Sequence, residues 1–120
     1  MKAIIYHNPR CSKSRETLAL LREHGVEPTV IEYLRSPPDT ATLQDLLRQL
    51  GRPARDLLRR GEAAFGELDL AARLDDEAAL IAALVAHPVL LERPVVVIGE
   101  RAAIGRPPEA VLTLLTDTTS

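Results

Sequence analysis

Tryptophan is absent from this 120-residue chain, and its other aromatics are two tyrosines and one phenylalanine. Any core must therefore be built from Leu, Val, Ile and Ala. Hydrophobic residues make up 46% of the chain, enough for one ordinary core and too many for a disordered segment. Cysteine occurs once, at Cys11, which excludes an intrachain disulfide framework. Charge of one sign is not in excess. Fifteen Lys and Arg face 17 Asp and Glu, a net charge of -2, so bulk charge gives no reason to expect nucleic acid or an anionic membrane as partner. No apolar run approaches the ~20 residues that span a bilayer. The apolar stretch after Met1 is only a few residues long, too short for a secretory signal. No internal repeat or low-complexity segment is visible. These absences leave a globular protein, expected to be cytoplasmic, a single domain over residues 1–120 and a monomer.

The apolar patterning sets the order of elements. Lys2 to Tyr6 reads as a buried strand, Asn8-Pro9 as a turn, and Ser12 to His24 as a helix with Leu18 and Leu21 on one face and Gly25 as its stop. Thr29 to Leu34 is a second strand, so the first third is a βαβ unit with parallel strands. Ser36-Pro37-Pro38-Asp39 breaks the chain. A helical block over about 36–88 follows, with Leu43, Leu46, Leu47 and Leu50 at helical spacing. A short helix over Ala54 to Arg60, one or two turns within Glu62 to Leu70, and a helix capped by Asp75 or Asp76 with the stripe Leu80, Ile81, Leu84, Val85 complete it. Val95 to Ile98 is wholly apolar and reads as a central strand. Gly99-Glu100 suits a two-residue hairpin to a strand over Arg101 to Ile104. Pro107-Pro108 opens a last helix through Val111, Leu112 and Leu115, and the closing TDTTS reads as frayed. Without the helical block, β-α-β followed by β-β-α is the minimal thioredoxin-like pattern. It predicts an α/β protein with a four-stranded mixed sheet and an inserted helical subdomain.

Cys11 stands where this pattern puts chemistry. It falls at or just before a helix start, where unpaired backbone N–H groups and the macrodipole favour a thiolate. Arg10, Lys13 and Arg15 add positive potential, His7 lies four residues upstream, and the Ser14 hydroxyl three residues on is placed to donate to the sulfur. Pro, Arg, Ser and Lys around a thiol make a poor core position, so the sequence reads as a reactive thiol rather than an inert one. The motif is C-x-x-S. A dithiol exchange needs a resolving cysteine, and this chain has none, so the second thiol must come from outside.

With Cys11 placed, "YHNPRCSKSRETL", "RDLLRR", "ERPVVV" and "IGRPPEAVL", in this order and with compatible spacing, resemble the glutaredoxin-coupled arsenate reductase family (ArsC type), most of all its YfgD-like branch. The resemblance covers nearly the whole chain. It implies a thioredoxin-like core with a helical insert, Cys11 as nucleophile, and three arginines for the oxyanion: Arg59, Arg93 and Arg106. It also places Pro94 where thioredoxin-like folds carry a cis-proline beside the thiol. His7, Asn8 and Ser14 would support the site. Guanidinium groups suit arsenate because they bind tetrahedral oxyanions bidentately and relieve the repulsion between a thiolate and an anion. The partners so implied are arsenate, glutathione as co-substrate and a glutaredoxin, with no metal and no tightly bound cofactor. Many family members carry glycine after the thiol, where this chain has Ser12. Two other readings stay open on the residues alone. One is an Spx-type regulator that binds RNA polymerase, disfavoured by C-x-x-S and the His-Asn-Pro lead-in. The other is a monothiol glutaredoxin-like or orphan oxidoreductase that does not act on arsenate.

Overall fold

The computed structural model describes residues 2–116, so residues 117–120 of the TDTTS tail lie outside it. The chain divides into two compact units: the helical segment Pro37–Glu92, and the segments that flank it.

The flanking segments build the sheet. β1 (Ala3–His7) pairs in parallel with β2 (Thr29–Glu32). A parallel pair needs a crossover, and α1 (Ser12–Glu23) supplies it. β3 (Val95–Ile98) runs antiparallel to β1, and β4 (Arg101–Ile104) antiparallel to β3, giving the order β2-β1-β3-β4. Gly99 at φ 64 supplies the left-handed residue of the β3–β4 turn. In register, Ile5 faces Val96 and Ala3 faces Ile98. Ile5, Val96 and Ile98 share one face and form a core with Leu21 of α1 and with Val111 and Leu114 near the C-terminus. Leu18 packs at its edge. Burying each such aliphatic side chain contributes roughly 1.5–3 kcal/mol. The alternate residues Tyr6, Val95 and Val97 are buried as well, so β3 is apolar throughout. Both tyrosines, Tyr6 and Tyr33, lie in this unit and are buried.

Three elements differ from the periodic pattern. β2 ends at Glu32, because the Glu32 carbonyl accepts from the Arg35 and Ser36 N–H groups and turns the chain. β1 runs one residue further, to His7. The last helix is split into a 3-10 segment, Pro108–Leu112, and a single turn, Thr113–Thr116.

In the helical unit, α2 (Thr40–Leu50) starts at Asp39, whose carboxylate accepts from the Thr42 N–H at 2.8 Å, and stops at Gly51 in the left-handed region. A 3-10 turn covers Ala54–Leu57, and α3 spans Ala63–Glu67. A second 3-10 turn covers Leu70–Arg73, and α4 spans Glu77–Ala86. Asp76, not Asp75, caps α4 through the Ala79 N–H. Leu43, Leu46 and Leu47 of α2 are buried, as are Leu80, Ile81 and Leu84 of α4, and these two helices pack together. The helix expected over Ala54 to Arg60 stops at Leu57. Leu58 turns extended to pair with Leu91, and Arg59 N–H bonds the Leu90 carbonyl at 2.8 Å. That pairing is why the compact helical unit reaches Glu92. Among the described residues no helix is long and apolar enough to cross a membrane.

Candidate active site

β1 ends at His7, and the chain turns through Asn8-Pro9-Arg10 into α1. The Cys11 N–H donates to the Asn8 carbonyl at 3.0 Å, and the Asn8 side-chain oxygen accepts from the Arg10 N–H at 3.0 Å. Arg15 reaches back to the Pro9 carbonyl at 2.9 Å. The loop is thereby tied at both ends. Cys11 is the N-cap residue of α1, in extended conformation, and no side chain caps the helix there. Its thiol is largely buried and sits where the first-turn N–H groups and the helix dipole point.

Arg106 arrives from the far end of the chain. Its Nη2 lies 3.6 Å from Cys11 Sγ, and its Nε donates to the Arg93 carbonyl at 2.7 Å. The next link is Gly105 N–H to the Pro94 carbonyl, 2.9 Å. The Arg93–Pro94 and Arg106–Pro107 bonds are both cis. Cys11, Arg106, the Arg93 main chain and Pro94 thus form one connected group.

Ser14 meets the His7 ring. Its hydroxyl is 2.6 Å from His7 Nδ1 and accepts from the Asn8 N–H at 3.0 Å. The side-chain donor at the sulfur is Arg106. Burial lowers the His7 pKa below its usual value, and Arg22 and Arg15 add to this; Glu32, opposite His7 in register on β2, works against it. Ser14 thus links the His7 ring at the end of β1 to the Asn8 backbone of the loop.

Arg59 belongs to the helical unit, where it pairs with Glu62 at 2.6 Å and Glu92 at 3.7 Å. Arg10 and Lys13 are exposed. Among the described residues no group of three or more His, Cys, Asp or Glu side chains is arranged to hold a metal ion. Sequence reasoning missed the His7–Ser14 link and the tie from Arg15 to Pro9. Neither follows from residue spacing until strand and helix are folded back on each other.

A mixed sheet in the order β2-β1-β3-β4, with a lone thiol at the start of the first helix and an arginine across it, defines a thioredoxin-like protein with a single-cysteine site. The chain belongs to the ArsC family, whose profile matches residues 6–114. It is 58% identical over 112 residues to the uncharacterized protein YfgD of Escherichia coli (strain K12), covering 92% of this chain and 94% of that protein. It is 43% identical over 120 residues to an arsenate reductase of Rhizobium meliloti (strain 1021), covering 98% and 84%. Among solved structures, an arsenate reductase from Vibrio cholerae superposes with a TM-score of 0.90 at 48% identity, covering 94% of this chain and 97% of that one.

Proposed function

We propose that this chain is an oxidoreductase that reduces arsenate to arsenite with glutathione and a glutaredoxin. The observation that carries the reading is the guanidinium of Arg106 fixed 3.6 Å from the sulfur of the only cysteine. A cation there can hold an oxyanion against a thiolate that would otherwise repel it. The arsenate reductases among the relatives supply the substrate.

Cys11 Sγ attacks arsenic(V), an S–As bond forms, and an arsenic oxygen leaves as water. The glutathione thiol then displaces a second oxygen as water. A glutaredoxin thiolate attacks the glutathionyl sulfur. The S–As bond to glutathione breaks, and its electron pair stays on arsenic, now arsenic(III). The two electrons come from two external sulfurs that end in a mixed disulfide, which is what a chain without a resolving cysteine requires. Hydrolysis of the Cys11–arsenic(III) bond releases arsenite and restores the thiol. Arg93 and Arg106 bind the arsenate oxygens. Arg59 is assigned to the same role on the resemblance. His7, Asn8 and Ser14 hold the loop that presents the thiol.

The test is arsenate-dependent NADPH oxidation with glutathione, a glutaredoxin and glutathione reductase. Turnover that vanishes when either glutathione or the glutaredoxin is omitted is expected. No arsenate-dependent turnover with all components present would overturn the proposal.

A further inference from the structure

We infer that Gly105 is a positioning residue for the thiol site: the space its missing side chain leaves lets Arg106 reach Cys11, and Thr17 and Pro94 set the size of that space. A Cβ at Gly105 would lie 2.6 Å from Thr17 Oγ1, 2.8 Å from Pro94 Cγ and 3.1 Å from Thr17 Cγ2. Non-bonded carbons rest at about 3.5–4.0 Å. Gly105 does not adopt the positive φ that Gly25, Gly51 and Gly99 need. Space, not backbone torsion, excludes a side chain here.

Neither neighbour yields easily. Thr17 is fully buried in the middle of α1, and its hydroxyl donates to the Lys13 carbonyl at 2.7 Å, which fixes its rotamer. Pro94 is a buried ring whose carbonyl already accepts from the Gly105 N–H. The part left to move is the Gly105–Arg106 turn. Clearing Thr17 takes a displacement of about 1 Å. The Arg106 contacts at 2.7 Å to the Arg93 carbonyl and 3.6 Å to the sulfur do not survive it. A misplacement of about 1 Å in a catalytic constellation can lower turnover by about a hundredfold.

The inference deepens the reading of Cys11 and Arg106 given above, and its main readout does not depend on arsenate turnover. Cys11 is the only cysteine, so its alkylation reports one site. The rate with anionic iodoacetate divided by that with neutral iodoacetamide measures the positive potential at the sulfur. Arg106→Ala should lower this ratio about tenfold, the loss of one charge-assisted contact. Gly105→Ala should lower it to the same level, and combining the two should lower it no further, because both act through one guanidinium. Adding Thr17→Ala to Gly105→Ala removes the contacts at 2.6 and 3.1 Å but leaves Pro94 Cγ at 2.8 Å, so it should recover only part of the ratio. A purely structural role for Gly105 lowers stability and leaves the ratio unchanged. A folded Gly105→Ala protein with the wild-type ratio overturns the inference, as does a further full drop on adding Arg106→Ala. If Gly105→Ala does not fold, Thr17→Ile crowds the same gap from the helix side. It must then lower the ratio, and a wild-type value there is equally fatal. Should the ratios behave as expected while arsenate turnover is absent, the positioning role stands and the substrate assignment falls.

Discussion

Replacing Arg106 by alanine removes the donor 3.6 Å from Cys11 Sγ and the tie to the Arg93 carbonyl together. At 3.6 Å, the Coulomb energy between the guanidinium and a thiolate is about 1 kcal/mol in bulk water and about 5 kcal/mol at an effective dielectric of ~20. Arg106 is exposed, which pulls the value toward the lower end. A charge-assisted hydrogen bond, about 1.5–3 kcal/mol, falls inside that interval. At ~1.4 kcal/mol per decade, Arg106→Ala should reduce turnover by roughly ten- to a hundredfold. Arg106→Lys keeps the charge but loses the planar fork whose Nε and Nη2 serve the Arg93 carbonyl and the sulfur; its turnover should fall between wild type and Arg106→Ala. Arg52 is the control. It is exposed and paired with Asp56 at 3.3 Å, and surface pairs contribute about 0–1 kcal/mol, so Arg52→Ala should stay near wild type. The coupled NADPH assay reads all three, with circular dichroism confirming the fold. Equal losses at Arg52 and Arg106 would show that general basicity, not a built site, attracts the anion. Full activity in Arg106→Lys would refute the role given to the fork.

Cys11→Ser should abolish arsenate turnover with the fold intact, because no other thiol exists in the chain; residual turnover above background in the same assay would sink the nucleophile assignment. Ser14→Ala removes the partner of His7 Nδ1 and of the Asn8 N–H in a buried position. One unsatisfied buried group costs about 1–3 kcal/mol, so the urea midpoint should drop measurably, and an unchanged midpoint would mean the link is idle. His7 has a folded pKa below its unfolded value, so the unfolded chain binds more protons between the two. Its contribution is complete above the unfolded value near 6.5 and is lost as pH falls from there toward the lowered folded value. Relative to His7→Gln, wild-type stability from urea titrations should decline across that window, whereas a constant difference would show that the ring is not held neutral.

Strands and caps were legible because their signals are local. The unbroken Val95–Ile98 run between Pro94 and Gly99, and an acidic cap at Asp75 or Asp76 before the Leu80 stripe, need nothing beyond their neighbours. The turn expected within Glu62 to Leu70 is there as α3, but the helix expected over Ala54 to Arg60 stops short, because Leu58 bridges Leu91 rather than continuing it, a contact no periodicity announces. Within α1, Ser14 and Thr17 are polar and fully buried, so a polar-out reading puts them on the wrong face. Arg106 stands 95 positions from Cys11 and was selected among many arginines only through the family resemblance.

The placement of the aromatic residues has a practical consequence. Without tryptophan, intrinsic emission comes from Tyr6 and Tyr33, both in the sheet unit, while the helical unit holds only Phe65. The far-ultraviolet dichroism, by contrast, sums α1 with α2 and α4. Melting of Pro37–Glu92 is therefore read by the dichroism of α2 and α4, and unfolding of the sheet unit by the tyrosine emission; cooperative unfolding moves both signals together. The unmodified protein thus carries a two-channel optical probe of whether its insert and its sheet come apart in one step or two.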